Sequence, residues 1–106
     1  MKAVKRFPLA EFPASGLPAG AAMAQPMHVI YPSGFTAKRI NGGPTYVYVI
    51  SGVLQISDAQ GSKTYSAGGF FWEPRGHVHT LHVIQAAEVF SLQFLRSGAA
   101  PPMPVQ

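Results

Sequence analysis

No window of eleven or more residues in this chain carries an apolar 3.6-residue period without a glycine or proline breaking it, and the 106 residues include 11 Gly and 10 Pro. Helices of ordinary length are therefore excluded. What remains is a series of short runs rich in Val, Ile, Tyr, Thr and Phe, at 27–31, 35–40, 45–51, 53–58, 63–66, 70–73, 79–84 and 88–95. Turn signals separate them: Pro-Ser-Gly at 32–34, Asn-Gly-Gly-Pro at 41–44, Ser-Gly at 51–52, Asp-Ala-Gln-Gly at 58–61, Ala-Gly-Gly at 67–69 and Pro-Arg-Gly at 74–76. Strands of this length and spacing predict an all-β, antiparallel sandwich or barrel of the jelly-roll kind.

A chain this short closes around one core, burying roughly 65% of its unfolded surface. Residues 27–96 are predicted to form the barrel, residues 1–26 an amino-terminal arm, and residues 97–106 a Pro-rich tail expected to be disordered. With 47% hydrophobic and 11% charged residues, the chain is not a solvated disordered one. Many of its apolar residues are expected to pack against a second copy, as a homodimer. The strand Thr45-Tyr46-Val47-Tyr48-Val49-Ile50 has two covered faces by the same reasoning, one lining the barrel and one under the arm or a partner.

Several classes of partner are excluded. The formal charge of +4 comes from eight basic residues, of which only Lys2, Lys5 and Arg6 cluster, so no nucleic-acid stripe is expected. No apolar run approaches the ~20 residues that span a bilayer. The opening imitates a signal peptide, but Glu11 and three prolines interrupt it, and a cytoplasmic protein is expected. The absence of cysteine leaves only nitrogen and oxygen atoms as metal ligands.

Three of the four histidines, His77, His79 and His82, fall within six residues. In an extended strand His82 has the opposite parity to His79 and should face outward, whereas His77 shares the parity of His79. His28, in the first run, has no distinguishing context. Four acids are present, Glu11, Asp58, Glu73 and Glu88; Glu73 has the parity of Phe71, with the direction of that face left open.

The stretch from Gly68 to His79 resembles the second sequence motif of the cupin superfamily: Gly68, five residues, Pro74, one residue, Gly76, two residues, His79. The stretch from Arg39 to Gly52 resembles the first motif, ending in the glycine expected to turn between two strands. The resemblance covers roughly residues 34 to 95 and implies a double-stranded β-helix barrel. In metal-binding members it implies four ligands, of which His79 would be one. The other three would fall at Arg39, Asn41 and Thr45, none of which is the expected histidine or glutamate. Guanidinium has no lone pair and stays charged, so no tightly bound metal is expected there.

If positions 39, 41, 45 and 79 converge, the pocket holds a fixed cation, an amide, a hydroxyl and an imidazole, with His77 at its edge and Val47, Val49, Phe70 or Phe71, Trp72, Leu81 and Val83 as walls. A buried Arg39 needs a compensating anion. The resulting expectation is a protein that binds a small anionic molecule, a carboxylate or phosphate, through Arg39, Asn41, Thr45, Trp72, His77 and His79. One alternative is a metal-dependent cupin enzyme of dioxygenase, isomerase or lyase type, using His79 and neighbouring histidines with a divalent metal. Another is a packed barrel in which Arg39 turns outward or pairs with Glu73 or Glu88.

Overall fold

The computed structural model describes residues 3–12 and 17–96, with the backbone of Met103–Pro104. Its strands are β1 (Met23–Tyr31), β2 (Thr36–Ile40), β3 (Thr45–Asp58), β4 (Gly61–Ser66), β5 (Phe70–Glu73), β6 (Val78–Leu95) and β7 (Met103–Pro104), and among the described residues there is no helix. No helix is therefore long and apolar enough to cross a membrane. All pairings are antiparallel: β6 pairs with β1, β2 and β3, while β3 also takes β4 and β5. The jelly-roll expectation holds.

Two expected breaks are absent. The Ser51-Gly52 pair does not turn between two strands; β3 runs through it, with register shifts against β6 between Val49 and Leu54. Residues 85–87 likewise lie inside a single long β6. The irregularity in β3 switches its facing, from buried Val47 and Val49 to buried Leu54, because an odd number of inserted residues moves a strand's inward set by one. A bulged strand bends, and these bends let two long strands serve the whole barrel.

Alternation then builds the core. Val47, Val49, Leu54, Leu81, Val83, Ala87 and Val89 form one buried cluster, with Val29, Phe35, Ile56, Tyr65 and Phe71 packed against it. Each fully buried Val or Leu contributes about 1.5–3 kcal/mol.

The boundary of the arm moves earlier than expected, since β1 starts at Met23, which pairs with Leu95. Pro26 is tolerated inside β1 because, among the described residues, this strand pairs on one side only, with β6. Farther back, Phe12 meets Tyr46 and Trp72 edge-on, at 5.1 and 5.6 Å between ring centroids, so the arm covers the outer face of its own barrel at that point. Of the Pro-rich tail, Met103–Pro104 runs beside β2. The remainder of 97–106, and the disorder expected for it, lies outside the described residues.

Gly52 is the position where the bulge depends on one residue type. Its φ is +85°, and an added Cβ would lie 2.2 Å from the Ala86 carbonyl oxygen and 2.5 Å from Ala87 Cα. Gly34 has the same φ but nothing within 4 Å. Gly34→Ala should therefore cost only the left-handed penalty of about 1–2 kcal/mol. Gly52→Ala adds a backbone collision and should cost well beyond that, visible in urea as a much lower midpoint than Gly34→Ala; equal midpoints would contradict the close approach.

Candidate functional site

Arg39 and His79 are direct cross-strand partners between β2 and β6, which puts their side chains on one face of the sheet. Thr45 stands opposite Glu73 between β3 and β5, and Val47 opposite Phe71, which resolves the open question of Glu73: it faces inward with the buried side of β3. Arg39, Asn41, Thr45, Glu73 and His79 line one cavity of about 90 Å³, with Tyr31 and Ser91 as further polar members. Its apolar wall includes Val47, Phe71 and Leu81, as expected. Val49 and Val83 are instead fully buried in the core and do not line it.

The turn after β5 is fixed by backbone hydrogen bonds. Asn41 N–H donates to the His77 carbonyl at 3.2 Å, and Gly76 N–H donates to the Asn41 carbonyl at 2.8 Å. With the turn so held, Glu73, His77 and His79 converge. Their ligand-type atoms all lie within 4.8 Å of one another. Glu73 Oε2 is 3.0 Å from His77 Nδ1 and 3.3 Å from His79 Nδ1. The two imidazole rings are stacked, 5.3 Å apart and 17° from parallel.

None of these three atoms has a hydrogen-bond partner, although all are buried. A buried carboxylate oxygen left in this state is costly. An ion with bonds of 2.0–2.2 Å holds neighbouring ligand atoms about 3.0 Å apart in an octahedron and about 3.4 Å apart in a tetrahedron. The observed 3.0 and 3.3 Å fall in that range. The donor set of two imidazoles and one carboxylate suits a first-row divalent metal with coordination positions left open. Glu73, His77 and His79 thus form a group that could hold a metal ion.

The surrounding groups hold this arrangement. Asn41 Nδ2 donates to Glu73 Oε1 at 3.4 Å. His77 Nε2 lies 2.8 Å from Asp58 Oδ2. The hydrogen bond from His77, followed by that from the Gln60 amide, holds the Asp58 carboxyl below its usual range. Burial pushes His79 below the ordinary imidazole value, and the nearby Glu73 carboxylate only partly offsets this. His79 is thereby kept in the neutral form that has a lone pair to donate.

The candidates from the sequence are sorted accordingly. Arg39, Asn41, Thr45 and His79 come together in the inner cavity. Arg39 lies over the Phe35 ring at 5.8 Å, and its Nε has no hydrogen-bond partner. The pairing with Glu88 does not form, since Glu88 meets His28 at 2.6 Å on the outer surface. Thr45 is less available than expected: its hydroxyl donates to the Gly43 carbonyl and accepts from the fully buried Gln93. His77 lines a second cavity, of about 320 Å³, together with Asp58, Lys63 and Tyr65.

Trp72 is separated from Arg39. Its ring stacks on Tyr46 and meets Phe12, because alternation in β5 turns Phe71 and Glu73 inward and Trp72 outward; it borders the larger cavity and not the inner one. His82 also faces away, bonding Thr36 Oγ1 at 2.8 Å. Sequence reasoning missed Tyr31, Ser91 and Gln93. Tyr31 shares the parity of Met27 and Val29 in β1, which was a usable signal, and burial raises its hydroxyl above the usual tyrosine range, keeping it a donor.

No protein-family model matches the chain, and no curated protein matches it in sequence. Solved structures do. A protein of unknown function with a cupin-like fold from Ralstonia eutropha JMP134 aligns with a TM-score of 0.62 at 20% identity, covering 82% of this chain and 56% of that one. A cupin superfamily protein from Desulfitobacterium hafniense DCB-2 aligns at 0.61 and 11% identity, over 89% of this chain and 99% of that one. A cupin-2 domain containing protein from Shewanella frigidimarina NCIMB 400 gives 0.60 at 21%, over 78% and 84%. The chain spans little more than half the length of the Ralstonia protein. Strand topology and these likenesses together make the chain a small protein of the cupin fold.

Proposed function

We propose that the barrel holds a divalent metal ion on Glu73, His77 and His79, and binds a small carboxylate-type anion between that ion and Arg39. The observation that carries this reading is a buried Glu73 oxygen 3.0 and 3.3 Å from two buried imidazole nitrogens, none of the three with a hydrogen-bond partner. Arg39 supplies the anion preference: it shares the cavity with Glu73 and His79, and its Nε is unpartnered. At about 90 Å³ the cavity is well below the ~300–1,000 Å³ of sites that enclose drug-sized ligands. It therefore suits the acid group of a ligand rather than a whole drug-sized molecule. A bound ion would polarise a coordinated oxygen or acidify a coordinated water, which is what a reaction at this site would draw upon.

Elemental analysis of protein purified without added metal, followed by titration with zinc, manganese, nickel and iron(II), tests the first half. The expected result is one ion per chain. Glu73→Ala and His79→Ala should each lower affinity by more than the ~10–100-fold typical of losing an outer partner. A wild-type protein that takes up no metal under saturating conditions would overturn the reading.

Acetate titrated calorimetrically into metal-loaded protein tests the second half. A charge-assisted hydrogen bond contributes about 1.5–3 kcal/mol, so Arg39→Ala should weaken acetate roughly 10- to 100-fold while leaving metal content unchanged. Equal acetate affinity in the two proteins would remove the anion site.

The partner proposed for the outer face is a second copy of the chain. Ile30, Ile50 and Phe90 are exposed apolar residues on adjacent strands there, which supports it. Equilibrium sedimentation should give twice the chain mass, and a monomer at micromolar concentration would refute the dimer.

A further inference from the structure

We infer that Asp58 is a positioning residue: it fixes which nitrogen of His77 carries the proton, so that Nδ1 turns a free lone pair towards Glu73 and the metal. The metal part of this inference rests on the proposed function; the protonation part stands by itself.

A neutral imidazole has one N–H and one lone pair, and ionised carboxylates only accept. His77 lies between two of them. On one side Nε2 is 2.8 Å from Asp58 Oδ2 in good hydrogen-bond geometry. On the other, Nδ1 is 3.0 Å from Glu73 Oε2 with no hydrogen bond between them, and neither atom has another hydrogen-bond partner. The proton therefore belongs on Nε2, donated to Asp58, and the lone pair on Nδ1. Only that tautomer can use Nδ1 as a ligand. A carboxylate on the far nitrogen also makes the imidazole a stronger donor to a metal.

Asp58 is itself anchored. Its other oxygen, Oδ1, accepts the Gln60 backbone N–H at 2.7 Å across the turn that joins β3 to β4. One carboxylate thus closes a hairpin with one oxygen and orients a ligand with the other. The hairpin also forms the rim of the 320 Å³ cavity, through Asp58, Gln60, Gly61, Ser62 and Lys63. Movement of that rim would be felt at His77. A bond that served only to hold the hairpin against the 74–77 turn would need the same tautomer, because the carboxylate can only accept, so the effect on metal affinity is what separates the two roles.

Nitrogen-15 NMR of histidine-labelled, metal-free protein, recorded where the imidazole is neutral and assigned by the signal lost in His77→Gln, reads the tautomer directly. The wild type should show His77 protonated at Nε2 only. Asp58→Ala should lose that preference, and Asp58→Asn, which keeps an acceptor oxygen, should largely retain it. In metal titrations the Ala variant should bind about 10–100-fold more weakly, with the Asn variant between it and wild type. His77 protonated at Nδ1, or at both nitrogens, in the wild type would overturn the inference. So would a tautomer unchanged in Asp58→Ala. If the wild type takes up no metal, the proposed function fails and with it the metal part of this inference, and the NMR arm still decides whether Asp58 sets the His77 tautomer. If Asp58→Ala does not fold, the Asn variant and the wild-type spectrum decide it.

Discussion

The carboxylate of Glu73 is the group on which the interior of this barrel depends. It is buried, one oxygen takes a long hydrogen bond from Asn41, and the other faces two imidazole nitrogens without a hydrogen bond to either. A protein interior rarely tolerates a carboxylate so incompletely satisfied. The neighbours make sense as responses to it. Asn41 donates its amide to the carboxylate and uses its backbone to pin the turn that carries His77, so one residue sets both the acid and one of its imidazole neighbours. Burial lowers the pKa of His79, against the opposing pull of the Glu73 carboxylate 3.3 Å away. Arg39, which lines the same cavity, and the metal ion proposed above are the cations that would balance this charge.

Much of the fold was legible because it rests on local signals. The period of two in Thr45 to Ile50 and the turn residues between strands report backbone geometry directly, and the inward facing of His79 against the outward facing of His82 follows from parity. The bulge at Gly52 was not legible as such. A glycine after serine carries the same local signal whether the chain reverses there or merely slips by one residue, and only the register against β6 separates the two. Parity in the first half of β3 consequently could not be carried across to Leu54 and Ile56.

The site was legible in its position and its histidines but not in its carboxylate. Arg39, Asn41, Thr45 and His79 do meet, and the metal-type cluster joins His77 and His79, both named from the sequence, to Glu73, whose facing the sequence left open. The positions searched for ligands, 39, 41 and 45, instead hold a cation, a donor to Glu73 and a hydroxyl already bonded to Gly43 and Gln93. Glu73 was left undecided because it precedes Pro74 at the end of a four-residue strand, where nothing local fixes the register. Its pairing opposite Thr45 decides the matter, and pairing across 28 positions of chain is a tertiary fact.

The cluster also lies at a boundary. Glu73, Ile56 and Phe71 line both cavities, whereas His79 borders only the inner one and His77 only the outer one. An ion on these three residues would stand in the wall between a chamber of about 90 Å³ and one of about 320 Å³. Open positions on the inner side would meet Arg39, Tyr31 and Ser91; those on the outer side would meet the hairpin rim. The smaller chamber admits an acid group and little else, and the larger falls at the low end of the ~300–1,000 Å³ that ligand sites occupy. Discrimination between anions would then come from two places, the charge of Arg39 for the head and the Tyr65 and Phe71 surfaces for the body, with Glu73 as the residue common to both.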